Sequence, residues 1–384
     1  MTGGGRHTIA RIEAFAFRHP IDRPVETSFG RMTDRPAVFL RVEASDGAFG
    51  WGEVFANWPA AGAEHRVNLL ERDIAPLIVG ATVGAPEEVF DSLTQKTRIR
   101  ALQCGEWGPF RQVIAGIDAA LWDLKARAVG LPLRKLLNPD AADYMPAYAS
   151  GIAIAAAAAE VPAARAAGFR AFKVKVGFDL DRDLRLLRDL AGTLQPGERL
   201  LTDANQAFDT ATARRFLQAT EDMGLGWLEE PIPADAPTED WAALAASSQT
   251  PLAGGENIAG EEAFDDAIRA GHLHFIQPDL AKWGGVTGCL RVARAALAAG
   301  RVYCPHFLGG AIGLSASAEL LAAVGGDGML EVDVNPNPLR DAFGLPGMDP
   351  ATGLWSATPD AGVGVETLPE LLRPMLTHAA CVTG

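Results

Sequence analysis

The chain has 384 residues, 48% of them hydrophobic and 21% charged, which suits two domains or one barrel with an appended domain. Its formal net charge is −14, from 34 Lys and Arg against 48 Asp and Glu; this argues against a nucleic-acid or anionic-membrane surface, so any acidic ligand must be held by local positive charge. No apolar run reaches the roughly 18 residues of a membrane span, MTGGGRHTIARIEAF contains no apolar leader segment, and Cys104, Cys289, Cys304 and Cys381 show no metal-ligand spacing; a soluble cytoplasmic protein with reduced thiols is expected.

Residues 8–18 and 37–54 alternate apolar and polar side chains, with the turn signal SDG inside the second stretch, and read as antiparallel strands. From about 60 to 130 the pattern is helical. It ends in GIDAALWDLKARAVG, where Ile117, Leu121 and Leu124 recur at helical spacing and Gly130 followed by Pro132 stops the helix. Strands followed by helices predict an α+β domain over 1–132. Over 133–340, eight short apolar stretches alternate with helical ones: MPAYAS, RAFKVKV, RLLTDAN, GWLEEP, PLAGGE, HFIQPD, RVYCPH and MLEVDV. That is the pattern of an α/β fold, a parallel (β/α)8-type barrel, with its last helices open to modification. The Ala-rich stretch AIAAAAAEVPAARAAG falls where the first barrel helix belongs, and alanine favours a helix over a linker. The segment 341–384, rich in Gly and Pro at its start, is expected to return to the first domain.

Nearly every predicted strand ends in an ionisable residue. Lys175, Asp203, Glu229, Glu256, Asp279, His306 and Glu331 follow one another at intervals of 23 to 28 residues, one βα unit each time. In a parallel barrel the C-terminal strand ends meet at one face, so these side chains should converge on one mouth. Singly, each has an ordinary alternative: a carboxylate can cap a helix, His306 can be structural, and Lys175 can extend to solvent. The series as a whole is harder to obtain from independent caps. Asp203, Glu229 and Glu256 form an all-oxygen set suited to a hard divalent cation, Mg2+, rather than zinc. Lys173 and Lys175 share a strand face, and a second ammonium beside a dication should lower the pKa of Lys175 toward that of a base at neutral pH. Asp279 should orient His306 and stabilise its protonated form.

KVK at 173–175, TDAN at 202–205, EEP at 229–231, GGEN at 254–257, PDLAKWGG at 278–285, CPHFLGG, GWGE at 50–53 and GIDAALWD at 116–123 together resemble the mandelate racemase subgroup of the enolase superfamily. The resemblance covers nearly the whole chain. It implies Mg2+-assisted removal of the proton α to a carboxylate, with Asp203, Glu229 and Glu256 as metal ligands. Lys175 and His306 would be the two acid/base catalysts, Lys173 would tune Lys175 and bind a carboxylate oxygen, and Asp279 would orient His306. Glu331 would hydrogen-bond the substrate carboxylate, with Asp333 competing for that place, and Asn205 would touch a substrate hydroxyl. Asp279 stands where the muconate-cycloisomerase-like subgroup has a lysine, which favours the racemase-like Asp–His arrangement. In such enzymes the capping domain chooses the substrate, here through 27–31 and 54–58. Arg31 fits either a distal carboxylate or a plain surface position, and Trp58 either a wall against water or ordinary packing. The leading expectation is a lyase that dehydrates a sugar acid. A racemase or epimerase, a lactone cycloisomerase and a non-catalytic ligand-binding barrel are the alternatives. The resemblance further implies a small-molecule carboxylate substrate and a symmetric homo-oligomer, up to an octamer.

Overall fold

The N-terminal third starts as an antiparallel sheet, as the alternation requires. The computed structural model describes residues 5–384, leaving aside the side chains of residues 23 and 26; residues 1–4 of the stretch read for a leader lie outside the described residues. Strand β1 (His7–Thr27) pairs with β2 (Gly30–Ala44), and β2 with β3 (Phe49–Val54), across the SDG turn. β1 runs nine residues beyond the predicted 8–18. Pro20 and Pro24 mask its continuation in the sequence, and the ladder absorbs them with a register shift between Pro20 and Val25. Helix α1 (Gly62–Leu69), the short strand β4 (Thr82–Val83), α2 (Pro86–Cys104) and α3 (Trp107–Ala128) complete this layer. α3 lies directly on β3: a Cβ at Gly50 or Gly52 would come within 2.1 Å of the carbonyl oxygens of Ala120 or Gly116, so only glycine permits the approach.

After α4 (Leu133–Leu137) and β5 (Tyr144–Met145) comes the barrel. Its strands are β6 (Ala147–Ala153), β7 (Ala171–Lys175), β8 (Arg199–Asp203), β9 (Leu228–Glu229), β10 (Leu252–Gly254), β11 (Phe275–Ile276), β12 (Val302–Tyr303) and β13 (Leu330–Asp333). All eight coincide with the predicted stretches. They form one parallel sheet in the order β12-β11-β10-β9-β8-β7-β6-β13. The sheet curls until its ends touch: Met329 N–H lies 3.3 Å from Cys304 Sγ, although no ladder joins β12 to β13 among the described residues. Helices α5 (Ala157–Ala166), α6 (Leu180–Ala191), α7 (Thr210–Ala219), α8 (Thr238–Ala245), α9 (Glu261–Ala270), α10 (Gly285–Ala298) and α11 (Ala311–Val324) follow the first seven strands. The eighth connection is a single turn, α12 (Pro338–Asp341). α5 is the helix expected in the Ala-rich stretch.

Strand alternation explains why lysines stand in a buried strand. Tyr148, Ala171, Leu201, Trp227, Ala253, Phe275, Cys304 and Met329 form one apolar cluster, with one residue on or beside each strand, that fills the barrel below its mouth. Two residues further along the same faces stand Ser150, Lys173, Asp203, Glu229, Gln277, His306 and Glu331, all buried. Thus the inward face changes from apolar to charged within one step of the pleat.

The segment after α12 divides its contacts. β14 (Met348–Asp349) pairs with β15 (Leu354–Ser356) and β15 with β5 beside the barrel, while β16 (Leu376–Thr383) adds an edge to β1. Only the final part therefore joins the first sheet. No helix among the described residues is long and apolar enough to cross a membrane.

Two carboxylates of the capping layer cap barrel helices across the interface. Asp118 of α3 accepts from Thr287 N (2.8 Å) and Oγ1 (2.6 Å) at the start of α10. Glu53 of β3 accepts from Gly310 N (2.5 Å) and Gly313 N (2.8 Å) at the start of α11, whose own N-cap residue, Gly310, supplies no side chain. Burial outweighs these amides and pushes Glu53 up from 4.5 to about 7. A folded-state value above the unfolded one means that the contribution is complete below pH 4.5 and lost as pH rises through 7. Asp118, Asp123 and Glu319 are raised into the same range, so the Glu53 share, on the order of 3 kcal/mol, is read in urea unfolding as the difference between the wild-type and Glu53→Gln proteins across that window. Glu53→Gln should make the slope shallower while costing about 1–2 kcal/mol at pH 5 through the lost acceptor. An unchanged slope in Glu53→Gln would refute the assignment.

Candidate active site

At the barrel mouth the charged ends of the strands meet. Lys173, on β7, donates to Glu229 (2.8 and 3.0 Å) and lies 2.7 Å from Glu331 Oε1 and 3.5 Å from Asp203. Lys175 donates to Asp203 Oδ2 (2.6 Å) and Asn205 Oδ1 (2.8 Å). Asp203 and Glu229 are direct neighbours in the β8–β9 ladder. Glu256 joins them out of step: Gly255 takes φ +148, where a Cβ would stand 2.6 Å from the Gln277 backbone, and this turn brings the next side chain into the mouth. Glu256 Oε2 lies 3.1 Å from His306 Nε2 and 3.4 Å from Lys282 Nζ. On its other side, His306 Nδ1 is 2.8 Å from Asp279 Oδ2, while Asp279 Oδ1 accepts from the backbone N–H groups of Ala281 and Lys282. The imidazole is thus fixed at both nitrogens.

Charge explains the titration behaviour. Burial alone would lower His306, but Glu256, Glu331 and Asp279 raise it from 6.5 to about 9, so it is an acid at neutral pH. Burial raises Glu331, yet Lys173 and His306 bring it down to about 2. Glu331 is therefore ionised here and accepts from Ser150 Oγ (2.5 Å) and Phe307 N (3.2 Å). Burial and the charge on Asp203 together push Glu229 up to about 7. The expectation that Lys175 is unprotonated is not met by the chain's own groups. Burial and Lys173 lower its pKa, but Asp203 outweighs them and the pKa is raised. The reason is that the Lys173 charge is already offset by Glu229 and Glu331.

Among the described residues, no group of three His, Cys, Asp or Glu is spaced as a preformed metal cage. The trio Asp203, Glu229 and Glu256 is brought to one mouth, with each carboxylate held by a lysine or by His306. Six carboxylates converge there (Asp203, Glu229, Glu230, Glu256, Asp279 and Glu331) against four cations (Lys173, Lys175, Lys282 and protonated His306). All the donors are hard oxygens, and the burial and mutual repulsion that raise Glu229 and Glu230 would be relieved by a divalent cation of the Mg2+ type.

The capping layer closes over this mouth as the loop positions suggest. Ser28 Oγ donates to Asn205 O (2.5 Å), Phe55 N to Ala281 O (3.1 Å), and Asn57 Nδ2 to Leu308 O (2.8 Å). Two cavities result, and Lys175 and His306 line both. One, of about 510 Å3, is walled by Trp58, Phe29, Asn57 and Lys282 together with Asn205 and Glu256. The other, of about 160 Å3, is bounded by Arg35, Asp333, Ser150 and Glu331. Trp58 is thus a wall of the site, stacked edge-on against Phe29 at 5.8 Å. Arg31 is exposed and lines neither cavity; Arg35, four residues on, is 3% exposed and lies 2.7 Å from Asp333. Asp333 therefore faces an arginine rather than sharing the place of Glu331. Asn205, Gln206 and Glu230 are the only non-glycine residues with positive φ among the described residues, and all three stand at this mouth, where strained backbone tends to gather. Sequence reasoning gave no role to Arg35, Glu53, Ser150, Gln277 or Lys282. A count of two back from Asp279 would have found Gln277, which donates to Glu229 (2.9 Å).

A parallel barrel with acid, base and carboxylate groups at its mouth, closed by an α+β cap, defines a class of enzyme built for proton transfer. Residues 11–138 match the mandelate racemase / muconate lactonizing enzyme N-terminal domain, and residues 154–371 match the enolase C-terminal domain-like family. The chain belongs to the mandelate racemase/muconate lactonizing enzyme family of the enolase superfamily. It is similar to a crystal structure of a mandelate racemase/muconate lactonizing enzyme from Bordetella bronchiseptica, with TM-score 0.89 and 46% identity, covering 97% of this chain and 100% of that one. A D-galactarolactone cycloisomerase from Agrobacterium fabrum is 28% identical over 374 residues, 93% of this chain and 96% of that protein. An L-talarate dehydratase from Polaromonas, complexed with Mg and L-glucarate, has TM-score 0.83 and 26% identity, covering 99% of this chain and 100% of that one.

Proposed function

We propose that this chain is a Mg2+-dependent lyase that removes the proton α to the carboxylate of a sugar acid and expels the β-hydroxyl as water. One observation carries the reading: Lys175 and the Asp279-held His306 line the same cavities from opposite sides of the carboxylate cluster. Asp203, Glu229 and Glu256 would hold the cation, which would supply electrostatic stabilisation of the charge developing on the substrate carboxylate. With Asp203 so engaged, the attraction that keeps the proton on Lys175 Nζ is withdrawn, and Lys175 can take the α-proton. The C–H electron pair first passes into the substrate carboxylate, giving an enediolate that can be reprotonated, and then forms the new C=C bond as the β C–O bond breaks. His306, whose proton is retained by Asp279 and Glu331 even with Glu256 engaged, gives it to the departing hydroxyl, and the enol tautomerises to a 2-keto-3-deoxy acid. Lys173 places the substrate carboxylate, while Glu331, ionised and acceptor-only, holds Lys173 rather than the substrate, and Asn205 lies within reach of an adjacent hydroxyl.

A second reading, racemase, epimerase or lactone cycloisomerase, is supported by the same Lys–His pair and by the likeness to a cycloisomerase. Incubation with a panel of sugar acids in D2O with Mg2+ separates them. Dehydration yields 2-keto-3-deoxy products and is abolished by chelation. Exchange of the α-hydrogen without loss of water would sink it in favour of epimerisation.

The division into a cap over 1–132, a barrel over 133–340 and a returning segment over 341–384 is part of this reading, supported by the β1–β16 pairing. Four free cysteines support a cytoplasmic location, and the family resemblance supports a symmetric homo-oligomer, up to an octamer.

A further inference from the structure

Of the six carboxylates at the mouth, Glu230 alone makes no ion pair with a lysine or with His306 among the described residues. It is buried, and it directly follows Glu229 in the chain. In a regular strand the side chain after Glu229 would point away from the mouth, but φ +39 at Glu230 turns the backbone left-handed. A non-glycine residue keeps that conformation only where its surroundings hold it. Asn257 supplies the hold. Its Nδ2 donates to both oxygens of Glu230, at 3.0 and 2.8 Å, and to Glu256 Oε1 at 3.3 Å. Lys282 Nζ donates to Asn257 Oδ1 at 2.7 Å; an ammonium can only donate, so the amide oxygen faces Lys282 and the amide nitrogen faces the two carboxylates. Glu230 lines an outer cleft of about 560 Å3, whereas Glu256 lines the active-site cavity of about 510 Å3; Asn257 lines both and stands between them.

We propose that Asn257 is a positioning residue that keeps Glu230 out of the cation site and thereby raises the selectivity of that site for Mg2+ over Ca2+. Mg2+ demands a compact octahedron and retains waters, so a trio of carboxylates leaves the positions it needs for water and substrate oxygens. Ca2+ takes about six to eight oxygens in a looser shell and gains from a fourth carboxylate, which can bind through both of its oxygens. Glu230 is that fourth carboxylate, one hydrogen-bonded bridge away from Glu256. The inference rests on Asp203, Glu229 and Glu256 as the cation ligands of the proposed lyase, and not on which sugar acid it takes.

Metal titration tests this without turnover. Calorimetry with Mg2+ alone and with Ca2+ alone gives the ratio of the two dissociation constants for each protein. Asn257→Ala, which frees Glu230, should move that ratio toward Ca2+ by at least about tenfold relative to wild type. Asn257→Ser, too short to bridge both carboxylates, should move it the same way, so the result does not depend on the folding of one variant. Adding Glu230→Gln to either should return the ratio to the wild-type value, because no fourth carboxylate is then present; damage of a merely structural kind at Asn257 would not be reversed. An unchanged ratio in the Asn257 variants, or a shift that persists after Glu230→Gln is added, would overturn the proposal. Failure of the underlying ligand assignment looks different: Glu229→Gln would then leave the Mg2+ affinity at its wild-type value.

Discussion

Lys175→Ala is expected to lower exchange of the substrate α-proton with D2O by about 10²–10⁴-fold, for the epimer whose α-hydrogen faces β7, while Mg2+ still binds. The structure adds a sign to the second half of that statement. Lys175 Nζ holds Asp203 Oδ2 at 2.6 Å and therefore competes with a cation for the same carboxylate. Removing the ammonium should leave Mg2+ affinity unchanged or increased. Lys173→Ala should behave differently, because its ammonium is shared by Glu229, Glu331 and Asp203. NMR of the α-hydrogen signal and a Mg2+ titration together decide the matter. Exchange at the wild-type rate, or weaker Mg2+ binding, in Lys175→Ala would refute its place as the base.

The contrast between the two lysines shows what a sequence can disclose here. Period-two alternation places Lys173 and Lys175 on one face, and repetition over 23–28 residues brings seven strand ends to one mouth; both are local properties of the chain. The proton on Lys175 is not local. It depends on Asp203 across a strand pair and on how far Glu229 and Glu331 have already neutralised Lys173. The choice between Arg31 and Arg35 is of the same kind. Both lie on β2, and the one that enters the cavity is decided by where the β1–β2 hairpin crosses the barrel, through bonds such as Ser28 to Asn205. Glu53 reads as an ordinary polar strand residue in GWGE. Its partners, Gly310 and Gly313, are more than 250 residues away in sequence, and no short-range pattern announces them. Glu256 lies between these cases: its position is legible in GGEN, but its entry into the mouth depends on the backbone turn at Gly255.

His306→Asn is the variant that should separate the two halves of the proposed reaction. Asparagine retains a polar side chain but can neither hold nor deliver a proton, so loss of water should fall by at least about 10²–10³-fold. Removal of the α-proton by Lys175 depends on a different strand and should persist as exchange with solvent. Asp279→Asn should share this phenotype more weakly. It leaves the imidazole in place but replaces a charged partner at 2.8 Å from Nδ1, lowering the His306 pKa and freeing the ring to turn. The pH profile of dehydration should then lose activity at a lower pH in Asp279→Asn than in the wild-type protein, because His306 must be protonated to act. If His306→Asn instead abolishes exchange and dehydration equally, His306 is the base. The roles of β7 and the 306 loop would then be reversed, with the same residues and the same cavity serving the opposite face of the substrate.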